Sequence, residues 1–264
     1  MTKILALSAR KQGGKNTAAN FLVGLEMVSK NLIEYFKIDE QGRLIVPTLF
    51  KGEEKPREGV IDVSGANQYM NMYLSDTGLS NQIKCYSFAS YMKDVSCNLF
   101  DVPRELVWGT NENKSEQIPH VLWENMPGKK TSVLWDGTKL GSKSGPMSGR
   151  EFLQYFGTEI LRHIYPKCHA VATIKQIRAD NPELAIITDC RFPDEIEVVR
   201  MAGGKVLRLT RKLFDDMHES ETALDSYEGF DAIIDNQNIS IEECHSQLFK
   251  ILVDWGYIVD NNVS

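Results

Sequence analysis

Three consecutive stretches decide the fold: Lys3-Ile4-Leu5-Ala6-Leu7-Ser8, then Ala9-Arg10-Lys11-Gln12-Gly13-Gly14-Lys15-Asn16-Thr17, then Ala18 to Leu25. The first is a short, mostly apolar run, the pattern of a strand buried on both faces of a parallel sheet. In the third, Ala18, Phe21, Leu22 and Leu25 recur at helical spacing, so a helix runs on from Thr17. A loop that binds phosphate between such elements needs small residues whose backbone N–H groups can turn inward. It also needs a helix N-terminus for its positive dipole end, and a lysine for the β- and γ-phosphates. Gly13, Gly14 and Lys15 supply all of this. Two positions depart from the general pattern: Ala9 stands where a first glycine is expected, and Asn16 where Ser or Thr would hold magnesium. Thr17, one residue later, does not inherit that role automatically. A solvated Gly-Gly turn with a surface lysine would use the same residues, but the strand before and the helix after favour a phosphate loop.

Outward from this unit the same alternation continues. Ile83 to Phe88 reads as a strand and Ala89 to Phe100 as a helix; Gly149 to Tyr165 and Cys168 to Ala179 have helical spacing. Leu184 to Asp189 is a buried strand ending in an acid, and a helix from Asp194 to Met201 stops at Ala202-Gly203-Gly204. Lys205 to Thr210 and Asp231 to Asp235 complete the strands. The closing helix, Ser240 to Trp255, opens on a capping box of Ser240 and Glu243. Strands alternating with helices imply an α/β fold with a parallel sheet, right-handed crossovers and helices on both faces. Two stretches break the rhythm. Around 31–80, Asp39-Glu40-Gln41-Gly42-Arg43 has the composition of a hairpin turn, flanked by Leu44-Ile45-Val46, with Gly59 to Val63 extended nearby. Around 102–148 lie Gly128-Lys129-Lys130, Gly141 to Pro146 and three of the four Trp, an irregular region of the length that is usually functional. The expectation is one domain over 1–264, with an inserted β-hairpin at about 31–80 and a lid or substrate-binding insertion at about 102–148.

Composition narrows the class. The 264 residues are 42% apolar and 25% charged, as in ordinary globular chains. Thirty Lys and Arg against 36 Asp and Glu give −6, no electrostatic reason to expect a nucleic-acid or membrane surface. Any anion must be met at a local site that the total conceals. Cys85, Cys97, Cys168, Cys190 and Cys244 are scattered and odd in number, which reads as reduced thiols in the cytoplasm. No apolar run reaches the roughly 18 residues that span a bilayer, and the apolar start is too short for a signal peptide.

A second cluster of chemistry lies at Thr188-Asp189-Cys190-Arg191. A carboxylate at the carboxyl end of a buried strand sits in the crevice where open α/β sheets bind ligands. There Asp189 could hold magnesium, with Arg191 steadying transferred phosphate; the plainer alternative is an Asp that caps the following helix. Arg150 and Gln154 share one helix face, Arg162 lies further along, and Arg211 follows the strand Val206 to Leu209. Phosphoryl transfer is mostly positioning and charge neutralisation, so converging arginines suit it, although each alone is more often a solvated charge. His218-Glu219-Ser220-Glu221 reads as a turn and helix start, with no general base assigned.

Four blocks in order resemble the deoxynucleoside monophosphate kinases of tailed bacteriophages, a divergent branch of the P-loop nucleoside monophosphate kinases. They are Leu7 to Phe21, Gly149 to Arg162, Ile187 through Arg211, and Asp235 to Glu243; His218 to Glu221 also looks like a family segment. That family carries an acidic or amide residue after the loop lysine, as Asn16 is here. The resemblance implies ATP-dependent, magnesium-requiring phosphorylation of a deoxynucleoside monophosphate to the diphosphate, for DNA precursor synthesis. It implies Arg10, Gly13, Gly14, Lys15, Asn16, Thr17 and Asn236 at ATP, and Arg150, Gln154, Arg162 and Asp189 at the acceptor. Magnesium would sit at Asp189, and at Asn16 through water. Lys15, Arg150, Arg162, Asp189, Arg191 and Arg211 would carry the chemistry. The implied partners are small nucleotides in the cytoplasm (the host's, for a phage protein), with neither nucleic acid nor membrane, and a homodimer as the candidate assembly. Two alternatives stay open: a P-loop kinase for another small acceptor, dephospho-coenzyme A-like or a ribonucleotide, and a nucleotide-binding module without catalysis.

Overall fold

A computed structural model describes residues 2–48, 57–61, 79–127, 143–213 and 222–259. The principal elements are β1 (Lys3–Ser8), α1 (Lys15–Ser29), β2 (Lys37–Ile38), β3 (Leu44–Thr48), β4 (Arg57–Ile61), β5 (Ile83–Tyr86), α2 (Ser90–Phe100), α3 (Arg104–Trp108), β6 (Gln117–Leu122) and β7 (Pro146–Ser148). Then come α4 (Gly149–Gln154), α5 (Cys168–Asp180), β8 (Leu184–Cys190), α6 (Pro193–Met201), β9 (Lys205–Leu209), β10 (Ala232–Ile234) and α7 (Ile241–Asp254).

The centre is a five-stranded sheet in the order β10-β9-β1-β8-β5, each neighbouring pair parallel. β1 lies in the middle, Lys3 to Ala6 opposite Leu184 to Ile187 and Leu5 to Ser8 opposite Lys205 to Arg208. Successive side chains of a strand point to opposite faces, and both faces here are covered. Leu5 and Leu7 pack with Ala18, Leu22 and Val23 of α1 and with Leu248 and Leu252 of α7. Ile4 and Ala6 pack with Ala170, Ile174 and Ile177 of α5 and with Ile196 and Val199 of α6. This double burial is why the first strand is apolar throughout rather than alternating. It is also why truncating Leu5 or Leu7 would cost about 2–5 kcal/mol. No helix among the described residues is long and apolar enough to cross a membrane.

The first insertion is the antiparallel ribbon β2-β3-β4. Its turn forms where the sequence predicts, with Asp39 accepting from the backbone N–H of Gln41 and Arg43 and with Gly42 at φ 77°. The Asn20 side chain of α1 donates to the Gly42 carbonyl at 2.7 Å, docking the turn on α1. The extended stretch begins at Arg57 rather than Gly59; Asp62 and Val63 lie outside the described residues.

In the second insertion the described residues, 102–127 and 143–148, form regular elements that the composition does not announce. α3, β6 and β7 enclose a small core of their own, with Val102, Leu106, Val107, Ile118, Trp123 and Met147 packed on Phe152 and Tyr155. Gly128-Lys129-Lys130 and residues 141–142 lie outside the described residues. The helix expected over Gly149 to Tyr165 is also corrected. α4 starts on a Ser148–Glu151 capping box and then passes into a π-helical segment, Tyr155–Arg162. Gly157 allows the close packing there, since a Cβ would stand 2.6 Å from Met92 Sδ.

Candidate active site

The loop after β1 is wound tightly. Gly13 N–H donates to the Arg10 carbonyl at 3.0 Å, and Gln12 and Gly14 take left-handed conformations, φ 57° and 97°. At Gly13 a Cβ would stand 2.8 Å from Ala9 Cβ and 3.0 Å from the carbonyl oxygens of Arg10 and Arg211, so the backbone itself excludes a side chain. Helix α1 begins at Lys15, two residues before the apolar spacing suggests. The Lys15 ammonium is buried and donates to the carbonyls of Ala9 at 2.6 Å and Arg10 at 2.9 Å. Burial and the Arg191 guanidinium push its pKa down to about 7, against the pull of Asp189.

Two outer contacts hold this loop. Asn236 donates to the Gly13 carbonyl at 3.1 Å and accepts from Arg211 N–H at 2.8 Å. The Arg10 guanidinium pairs with Asp225, which also pairs with Arg208, and Arg208 donates to Ser8 Oγ at 2.9 Å. Arg10 therefore lies behind the loop, outside the cavity in front of it.

That cavity, about 800 Å³, opens at the carboxyl ends of β1 and β8, where open α/β sheets bind ligands. Gly13, Gly14, Lys15, Asn16, Thr17, Arg150, Gln154, Arg162, Asp189, Arg191, Arg211 and Asn236 all line it. The acid at the end of β8 does not cap the helix that follows. Asp189 accepts from Ser87 Oγ at 2.6 Å, Phe88 N–H at 2.7 Å and Ala89 N–H at 3.2 Å, tying β8 to the start of α2. Arg162 is engaged by both oxygens of Asp194, at 2.8 and 2.9 Å, and by Glu195 at 3.4 Å, and it stacks on the Phe192 ring at 3.7 Å. Glu195, buried, accepts the backbone N–H of Arg191 at 2.7 Å and of Phe192 at 3.1 Å. Burial drives its pKa up to about 8, while those N–H groups and Arg162 pull against it. Arg150 donates to Asn111 at 2.8 Å.

Sequence reasoning missed several lining residues. Lys93 and Lys114 contribute cations from α2 and the second insertion, and Glu40, Gln41 and Gly42 reach the cavity from the hairpin turn. No local motif marks any of them. His218 to Glu221 lies outside the described residues.

As for a metal, no group of three His, Cys, Asp or Glu side chains among the described residues is placed to hold an ion. The oxygen donors at the cavity include the Asp189 carboxylate, the Asn16 amide and the Thr17 hydroxyl, with the carboxyl groups of Glu40 and Glu195 on the same lining. Such a set fits Mg²⁺, which keeps several waters and binds through one or two carboxylates plus substrate phosphates.

Comparison with curated proteins gives no match. The deoxynucleotide monophosphate kinase family, however, matches residues 3–248, from the first strand to the closing helix. This chain belongs to the deoxynucleotide monophosphate kinase family, enzymes that phosphorylate deoxynucleoside monophosphates at the expense of ATP.

Proposed function

We propose that the Lys15 loop holds the ATP phosphates, that Asp189, Arg150 and Gln154 serve the acceptor, and that Arg191 stands where the two nucleotides meet. The supporting observation is electrostatic: Lys15 and Arg191 follow neighbouring strand ends, β1 and β8, and crowd one cavity closely enough that the Arg191 guanidinium disfavours the charge on Lys15. A polyphosphate relieves that repulsion. On this reading ATP oxygens replace the carbonyls of Ala9 and Arg10 as partners of the Lys15 ammonium.

The chemistry requires no protein nucleophile. An oxygen of the acceptor phosphate attacks the γ-phosphorus in line, the bond to the β-phosphate oxygen breaks, and ADP leaves. Lys15, Arg191 and Arg211 neutralise the charge that spreads over the transferring group. Asp189, and Asn16 through water, would hold magnesium, which would supply further positive charge for the phosphates. Arg162, already occupied by Asp194 and Glu195, acts as a positioning residue that fixes the Glu195 carboxylate and through it the Arg191 backbone. Arg10 and Asn236 anchor the loop rather than touch nucleotide through their side chains. The whole chain is read as one kinase domain with its two insertions, acting on small nucleotides in the cytoplasm.

The test is ADP formation with ATP and each of the four deoxynucleoside monophosphates. Lys15→Ala should lower kcat/KM by about 10³-fold, roughly 4 kcal/mol of transition-state stabilisation, with an unchanged circular dichroism spectrum. Undiminished turnover in that variant would refute the role given to the loop.

A further inference from the structure

Two lysines that no motif announces face the same cavity as the loop. Lys93 stands on α2 and Lys114 in the short turn that follows α3. The Lys93 ammonium lies 4.3 Å above the Trp108 ring, which also meets the Arg104 guanidinium at 4.8 Å. Lys114 is near enough to Lys93, Arg150 and Arg191 for all three to disfavour its charge. Among the described residues neither ammonium forms an ion pair with a carboxylate. The indole N–H of Trp108, beside them, is buried and has no hydrogen-bond partner among the described residues. Asp189 and Asp94 favour the charge on Lys93, whereas only cations bear on Lys114; half-buried cations that outnumber their counter-charges are costly unless an anion completes the group.

Their position says which anion. Arg191 bears on Lys15, Lys93 and Lys114 alike, whereas the groups that bear most on Lys93 and Lys114 do not include Lys15. Arg191 is thus the member shared by two cationic sets, one at the loop and one between α2 and the second insertion. We propose that Lys93 and Lys114, with Arg150 and Arg191, form the pocket for the acceptor's phosphomonoester dianion, on the side of the cavity where the Arg150–Asn111 hydrogen bond ties α4 to the segment that carries Lys114. The inference rests on the donor and acceptor ends assigned above and adds the residues that make the acceptor end specific for a phosphorylated nucleoside. Arg150, braced by Asn111, offers directed N–H groups; the two lysines add compact point charges.

The experiment is isothermal titration of the full-length protein, in separate runs, with the deoxynucleoside monophosphate it turns over fastest, with the matching unphosphorylated deoxynucleoside, and with ATP. Lys114→Met and Lys93→Met should each weaken the monophosphate by about tenfold or more. Both variants should leave deoxynucleoside and ATP binding within about twofold, and Lys114→Arg should recover most of the lost affinity. Monophosphate affinity unchanged in both Met variants overturns the pocket, as does an equal loss for the unphosphorylated deoxynucleoside. Failure of the donor assignment looks different: ATP affinity would then be unaltered by Lys15→Ala, while the lysine dependence of monophosphate binding persisted.

Discussion

Asn236 commits both ends of its side-chain amide to the loop, holding the Gly13 carbonyl with its N–H and the Arg211 N–H with its oxygen. The residue is 7% exposed, so these groups have little water to fall back on. Replacing it by Ala leaves a buried donor and a buried acceptor without partners, a penalty of about 1–3 kcal/mol each. The loop conformation, with Gly14 left-handed and Gly13 wedged between carbonyls, then loses its brace. Asn236→Ala should therefore lower the melting temperature and raise KM for ATP several-fold, while KM for the acceptor stays near the wild-type value. Asn236→Asp keeps an acceptor for Arg211 but no donor for Gly13, and should fall between the two. Steady-state kinetics with one substrate varied at a time decides this; equal shifts in both KM values would mean the contact does not act through the donor loop.

At the scale of elements, α7 braces α1 through His245, whose ring stacks on Phe21 at 4.2 Å and 9°. Burial pulls the imidazole pKa down to about 4, against Glu242 and a hydrogen bond to the Thr17 backbone. A histidine whose folded pKa lies below its unfolded value of about 6.5 takes up a proton on unfolding first. Its stabilising contribution is therefore present above that value and declines as pH falls towards 4. Between pH 7 and pH 5 the loss amounts to about 2 kcal/mol. His245→Phe, which keeps an aromatic face for Phe21, should show a shallower fall in melting temperature over that interval than the wild type; parallel curves would remove His245 as the cause. Both helices were legible in the sequence, α7 from its capping box and α1 from its apolar spacing. The π-helical segment was not, because Tyr155, Phe156 and Ile160 suit either winding over so few turns. The small core of the second insertion was also hidden, since elements of five, six and three residues are too short to display a period. The same divide runs through the site. Gly13, Gly14 and Lys15 of the candidate site stand out by local spacing, and Asp189 shows itself as an acid ending an apolar strand. Lys93 and Lys114 reach the cavity only through tertiary packing, and the pairing of Arg162 with Asp194 spans 32 residues.

The whole molecule carries −6, yet it concentrates Lys15, Lys93, Lys114, Arg150, Arg191 and Arg211 on one cavity, opposed there by the carboxylates of Asp189 and Glu40. Because the two cationic sets share Arg191 and a single cavity, a ligand that joins both nucleotides should engage them at once. Adenosine linked through five phosphates to a deoxynucleoside carries the anionic charge of donor and acceptor in one molecule, and the second contact then forms at a high effective concentration. It should bind about 10²-fold or more tightly than ATP alone and raise the melting temperature accordingly, since ligand at 100 times its Kd adds about 2.7 kcal/mol. Lys15→Ala and Lys114→Met should each weaken it, whereas ATP alone should feel mainly the first. The kinetic pattern is the sharper check: inhibition should be competitive against ATP and also against the monophosphate. Competition with only one of them would mean that donor and acceptor do not meet in this cavity, and that the shared position of Arg191 does not mark the path of the phosphoryl group.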